Sequence, residues 1–252
     1  MSRTTRVDAV VLRARKFGEI HKSITLLTPQ DGLVSAIAYG AQSQKGKLRG
    51  LVNPFHHGIC YLYTNPVKDQ TKITDFDVHD YYSGIRESID RFYAASLWAE
   101  VLLKSYAGGG EARWVYELLL GALGELDRTA GRAAVRRVTA QFLWRYFGLA
   151  GSLPELGSCT SCGRSIDEGE VRRFAPFASG VVCNDCAGED ARRLSAGAVR
   201  YLHATADRPL GEALSVGLDE AALSGLTRFL HSLAEGILED RLNTLRTGGG
   251  IL

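Results

Sequence analysis

The sequence has no long apolar run. Stretches such as AASLWAEVLL (94–103) are too short, and too charged at their flanks, to span a bilayer. No apolar segment follows the opening MSRTTR, so no signal peptide is expected and the chain reads as soluble and cytoplasmic. The phosphate loop G-x-x-x-x-G-K-[ST], the zincin H-E-x-x-H and the nucleophile elbow G-x-S-x-G are all missing, so no motif supports nucleotide hydrolysis or hydrolase chemistry. His56-His57 has no acid close by in sequence, and adjacent residues of a strand face opposite ways, which is poor chelating geometry. Glu19-Ile20-His21-Lys22-Ser23 carries hydrolase-type side chains without a partner motif. The chain is expected not to be an enzyme. There is no internal repeat and no low-complexity run, and the glycine-rich TGGGI tail is expected to fray.

Net charge is nearly absent too, at +2, but it is unevenly spread. Residues 1–75 hold 11 Lys and Arg against 5 Asp and Glu, a net of +6, while 76–158 net −1 and 159–252 net −3. A basic N-terminal segment joined to a neutral or acidic remainder suggests that a polyanion binds at the N-terminal end. With 252 residues, 45% of them hydrophobic, the chain is long enough for two domains with real cores.

The N-terminal stretch as far as Asp77 reads as short strands. VDAVVLRAR (7–15) is rich in β-branched residues, with Val10, Leu12 and Ala14 expected on one face and Arg13 and Arg15 on the other. Pro29-Gln30-Asp31-Gly32 is a turn signal that joins 23–28 and 32–39 as a hairpin. HGICYLYT (57–64) and TKITDFDV (71–78) add two strands around Asn65-Pro66. Five such strands suggest a small barrel or sandwich. From Tyr81 the period becomes helical. Ile85, Ile89, Phe92, Ala99 and Leu103 form one stripe, and Val115, Leu118, Leu119, Ala122 and Leu126 a second. Val135, Val138, Phe142, Tyr146 and Leu149 form a third. AGGGE (107–111) and TAG (129–131) separate the three helices, and two more are expected near 195–206 and 219–246.

Cysteine is scarce: five in all, four of them in two C-x-x-C pairs, Cys159/Cys162 and Cys183/Cys186, in the arrangement C-x₂-C-x₂₀-C-x₂-C. In a reducing compartment this pattern points to a metal rather than disulfides. Two thiolate knuckles complete a tetrahedral site that suits one Zn²⁺, and four thiolates leave no open position for activating water, so the site is expected to be structural. EVRRFAPF and GVVC between the pairs suit a ribbon hairpin, on which Arg172 and Arg173 are expected to be solvated. Cys60, in an apolar strand, reads as an inert core thiol.

The N-terminal cations are patterned. Arg13, Arg15 and Lys16 end the first strand and Lys22 opens the second, while AQSQKGKLRG (41–50) sets Lys45, Lys47 and Arg49 at alternate positions of a flexible loop. Such cations can follow a phosphate backbone without reading sequence, and Tyr39 at the mouth of the loop could stack on a base. Phe17 and Phe55 read as ordinary packing.

The stretch VVLRARKFGEIHKSITLLTPQDGLVSAIAYGAQSQKGKLRGLVNPFHHGICYLY resembles the N-terminal OB-fold of the bacterial DNA repair family RecO. The family's glutamate after the basic strand end matches Glu19, and its hairpin matches Leu26-Leu27-Thr28 and Gly32. Its next stretch matches Gly40, Lys47, Leu48, Pro54 and Phe55. GLAGSLPELGSCTSCG is similar to the family's entry into its zinc segment, and RFLHSLAEGILEDRLNTLRT to its closing helix. The family often has serine after the loop lysine, where this chain reads Lys45-Gly46-Lys47-Leu48, so that contact does not carry over.

The resemblance implies an α+β multidomain protein. A five-stranded OB-fold β-barrel (1–80) would be followed by a mostly α-helical domain (81–252) with a zinc ribbon inserted at about 157–188. It also implies a recombination mediator, nucleoid-associated in the cytoplasm, that binds single- and double-stranded DNA and anneals complementary strands. Such a mediator contacts the C-terminal tail of the single-stranded DNA-binding protein SSB and, with RecR, helps load RecA. The alternative reading is an RNA-binding or ribosome-associated OB protein with a zinc ribbon, and a third is a zinc-dependent hydrolase.

Overall fold

The computed structural model describes residues 4–68, 70–105, 112–248 and 250–251. Five strands, β1 (Thr4–Phe17), β2 (His21–Thr28), β3 (Gly32–Ala38), β4 (His57–Asn65) and β5 (Gln70–Asp80), close into a barrel in the spatial order β1-β2-β3-β5-β4. β4 returns antiparallel to β1 and closes the ring, while β3 meets β5 in parallel at Ile37 and Lys72. Closure resolves barrel against sandwich and gives the five-stranded OB type. Ala9, Val11, Ile24, Leu26, Ala36, Ala38, Cys60, Leu62, Ile73 and Phe76 fill its interior.

The alternation expected for β1 does not hold. Its pairing with β2 shifts between Val11 and Arg13, and a bulge of this kind changes which residues face inward. Val7, Ala9, Val11 and Ala14 join the barrel core, while Val10 and Leu12 are buried outside that cluster.

The connection from Tyr39 to His56 is a chain of turns and not a flexible loop. Ser43 N–H donates to Gly40 O (2.9 Å), Gly46 N–H to Ser43 O (3.1 Å) and Arg49 N–H to Gly46 O (3.0 Å). Ala41, Leu48 and Val52 anchor it in the barrel core. A Cβ on Gly46 would lie 1.9 Å from Gly40 O, so only glycine allows this close approach.

Packing divides the described chain into two compact units. One takes the barrel through Arg86 together with residues 112–123; the other takes 87–105 and everything from 124. The helices are α1 (Ser83–Glu87), α2 (Ile89–Ser105), α3 (Ala112–Arg128), α4 (Arg132–Leu149), α5 (Ala196–Thr205), α6 (Leu210–Ser215), α7 (Glu220–Leu238) and α8 (Asn243–Thr247). In the second unit α4 packs against α2 and α7, and Trp98 stacks on Phe142 with centroids 4.6 Å apart. Burying each such side chain contributes about 1.5–3 kcal/mol.

TAG separates α3 from α4 as expected, whereas AGGGE lies outside the described residues. On α2 the expected stripe holds at Ala99 but leaves Ile89 and Phe92 exposed; the buried face is Ala94, Ala95, Leu97, Trp98, Val101 and Leu102. The expected 219–246 helix is two. Asp219 caps α7 by accepting from Ala222 N–H (2.8 Å), and Glu239 ends it in the left-handed region (φ 49°) before α8 begins. No helix of the described residues is long and apolar enough to cross a membrane.

Candidate nucleic-acid interface and metal centre

Register brings one set of loops to one end of the barrel. Phe17 pairs with His21, Lys16 with Lys22, Lys22 with Ala38, Ile37 with Lys72, and Asn65 with Gln70. The β1–β2 turn (18–20), the start of the 39–56 connection and the β4–β5 turn therefore share that end, where OB barrels bind oligomers. His21 ties it together. Its Nδ1 accepts from Gly40 N–H (3.0 Å), and its ring meets Tyr39 edge-on at 4.8 Å. Tyr39 is 44% exposed, and its hydroxyl donates to Gln70 Oε1 (3.2 Å). Phe17, expected to pack, is instead 46% exposed, and Ile20 beside the turn 48%. Phe55 is buried as expected, in the left-handed region (φ 71°).

The sequence-selected cations differ in availability. Arg15, Lys16 and Lys45 are exposed, and none of them forms an ion pair among the described residues. Arg49 is exposed and, among the described residues, its guanidinium reaches only Gln44 O (3.3 Å). Lys47 is committed to Asp75, whose carboxyl is held below the usual range chiefly by that hydrogen bond. Lys22 is half-buried and donates to Asn53 Oδ1 (3.0 Å); burial, then Arg86, lowers its pKa. Half-buried Arg13 reaches Thr25 Oγ1 at 3.4 Å. Lys22 and Arg13 thus support the barrel, while Arg15, Lys16, Lys45 and Arg49 stand free. The sequence reads Phe17 as packing and Ile20 and His21 as part of a hydrolase-type run, because a turn of mixed residues carries no local signal; only the pairing register brings them to Tyr39.

The four cysteine sulfurs all lie within 4.8 Å of one another, with Cys162 Sγ 4.0 Å from Cys183 Sγ. A tetrahedron of Zn–S bonds requires sulfurs about 3.8 Å apart, so the donor set fits a four-coordinate metal ion. Backbone N–H groups at the knuckles, those of Cys183 and Cys162 first, push the Cys159 thiol down to about 6. Neighbouring thiols push Cys186 up to about 12, because four sulfurs this close cannot all ionise without a cation among them. Gly163 (φ 73°) makes the first knuckle turn.

The ribbon departs from its expected form. Strand β6 (Arg172–Phe174) pairs with β7 (Arg192–Leu194) beyond the last cysteine, and GVVC contributes only the bridge Arg173–Val182. Arg172 is not solvated but 2% exposed. Its guanidinium donates to the carbonyls of Leu156 (2.9 Å) and Glu170 (2.7 Å) and so draws the ribbon closed. Arg173 donates to Asn184 Oδ1 (3.0 Å). Cys60 is buried, and burial, then Asp75, pushes its thiol up to about 12, which leaves it inert.

His56 and His57 do face apart. His56 is buried, its Nδ1 2.6 Å from Leu51 O and its Nε2 2.6 Å from the Arg86 guanidinium. His57 finds an acid after all, Asp80, at 2.8 Å across the β4–β5 pair.

A closed OB barrel with a partly free cationic, aromatic end, followed by helices and a four-thiolate cluster, defines a class of two-part OB proteins. The chain belongs to the recombination protein O family of DNA repair proteins. The model described as "Recombination protein O N terminal" matches residues 1–82, and that described as "Recombination protein O C terminal" matches 86–246. The chain is 33% identical over 220 residues to "DNA repair protein RecO" of Rubrobacter xylanophilus, covering 86% of each chain. It is 29% identical over 241 residues to the protein of that name from Desulforamulus reducens, covering 95% of this chain and 91% of the relative.

Proposed function

We propose that this chain is a non-enzymatic recombination mediator, acting in the cytoplasm at the nucleoid. In this reading it binds single- and double-stranded DNA at the barrel end, anneals complementary strands, and helps load RecA onto SSB-coated DNA with RecR and through the SSB tail. One observation carries the reading: exposed Phe17 and Tyr39 share the barrel end with Arg15 and Lys16 and with the 39–56 connection that bears Lys45 and Arg49, in a chain of a DNA repair family. Guanidinium and ammonium groups hold phosphates and leave base edges free to find complements. Neutralising the repulsion between two strands speeds their encounter without fuel. Stacking on Tyr39 or Phe17 adds about 1–3 kcal/mol per base and tolerates any sequence. Zn²⁺ is the metal that four thiolates suit best, and with no open position it would hold the fold and take no part in chemistry.

The test is annealing of two complementary fluorescent oligonucleotides coated with SSB, in the absence of ATP. Pairing should accelerate, slow as salt rises, and depend more on Lys45, Lys47 and Arg49 together than on Tyr39. No acceleration, or RNA affinity well above DNA affinity for strands of equal length, would contradict the reading and favour an RNA-binding OB protein.

A further inference from the structure

A second concentration of unpaired cations lies in the helical unit. A cavity of about 480 Å³ is lined by Arg192, Arg228, Arg241, Arg246, His231 and Phe177, among others. Among the described residues none of the four arginines forms an ion pair, and Arg246 meets only the neutral Asn243 Oδ1 (3.0 Å). One carboxylate, Glu235, shares the wall, its Oε1 accepting from Leu242 N–H (3.1 Å), so the lining still carries a strong positive excess. Guanidiniums gathered around one cavity repel one another, and a cleft with an excess of one sign of charge focuses its field on a counter-ion.

The site is held in place by its frame. Ser232 of α7 donates to Ala175 O (2.8 Å) and accepts from Ala178 N–H (3.2 Å), pinning the 175–178 segment to the helix. One turn on, a Cβ at Gly236 would lie 2.5 Å from Ala178 O and 2.9 Å from the Phe177 carbonyl, so glycine alone lets the segment sit this close. Phe177 is thereby fixed in the left-handed region (φ 55°), a strained backbone for an aromatic residue, and the residue is 41% exposed. Arg241 lies over that ring, 5.9 Å from its centroid. Among the described residues His231 Nε2 is buried without a hydrogen-bond partner. Burial, then Arg136, pushes this imidazole down to about 4, so it is neutral at pH 7 and adds no charge to the wall.

We infer that this cavity is a second nucleic-acid site, in which Arg192, Arg228, Arg241 and Arg246 take backbone phosphates of a strand and the Phe177 ring takes a base. Guanidinium forks match phosphate oxygens bidentately, and an exposed ring beside them is the stacking element of single-strand sites. Arginine clusters also take acidic peptide motifs; the part-exposed Phe177 beside these guanidiniums is what favours a strand, whose bases stack on an aromatic ring. The inference rests on the proposed function for its ligand class, and a protein that anneals gains from a second strand site.

The test uses the full chain, a fluorescent oligothymidylate and the Arg228→Ala/Arg246→Ala variant, with Phe177→Ala as a second variant and unchanged melting curves as the folding control. Two lost phosphate contacts should flatten the salt slope of binding by about 1.4, at about 0.7 per phosphate. Photocrosslinks from a bromouracil-substituted strand should map to the segments around Phe177 and α7, and should disappear in Phe177→Ala. A Lys45→Ala/Arg49→Ala variant is titrated in parallel. If it alone loses slope and the pocket variants match wild type, the inference falls and the barrel reading stands. If only the pocket variants lose slope, the inference stands and the barrel reading falls. An oligoaspartate peptide that binds wild type but not the pocket variant, with DNA binding equal in both, would assign the cavity to acidic peptide and overturn the inference.

Discussion

At the scale of single residues, charge type was legible and availability was not. The cations from Arg13 to Arg49 stand out in the sequence, yet Lys22 and Lys47 are engaged by Asn53 and Asp75, distant partners that only the barrel brings near. His56 shows the same limit, read as half of a poor chelating pair and found as a buried link between Leu51 and Arg86. Its pKa is lowered by burial first, with Arg86 and Lys22 adding to the effect against the Leu51 carbonyl. The folded state therefore binds the proton less readily than the unfolded one. His56 should contribute stability that is fully present above the unfolded value of about 6.5 and is lost as pH falls toward the lower folded value. Denaturant melts of wild type should show stability falling from pH 7 to pH 5, and His56→Asn should flatten that fall in part, since His231, pushed down by burial to about 4, contributes over the same window. An equal slope in the variant would assign the proton to another group.

At the scale of elements, turn chemistry and helical period located most strands and helices, because each rests on local pattern. What failed needed partners distant in sequence. The bulge in β1 moved its inward face, and the second ribbon strand came from 192–194 instead of GVVC. The 39–56 connection looked flexible from its glycines, yet Gly46 is what lets it fold tightly on itself. The metal cluster was the most legible element, since two C-x-x-C pairs specify a donor set with no help from tertiary structure. With both knuckles and the Arg172 clamp closing one small ribbon, metal binding should supply much of its folding energy. Cys183→Ser, or removal of metal by a chelator, should lower the melting temperature by several degrees. Oligonucleotide affinity per folded molecule should change less than twofold. A folded Cys183→Ser protein that had lost most of its affinity would make the ribbon itself the binding surface.

At the scale of the whole molecule, the segregation of charge was the first pointer to function, a net of +6 in residues 1–75 against −4 in the remainder. The barrel turns that sequence excess into a surface, because its register gathers the β1–β2 turn, the start of the 39–56 connection and the β4–β5 turn at one end. The acidic remainder still holds unpaired arginines around one cavity, which net charge conceals. The central claim is that the cations of the 39–56 connection neutralise the phosphates of a bound strand. The most direct measurement is the salt dependence of oligothymidylate affinity for wild type and for the Lys45→Ala/Lys47→Ala/Arg49→Ala variant. At about 0.7 per phosphate on single strands, and with Lys47 leaving Asp75 for the strand, the variant's slope should be flatter by about 2 and all sequences should weaken alike. An unchanged slope would contradict the account and move the strand off the barrel.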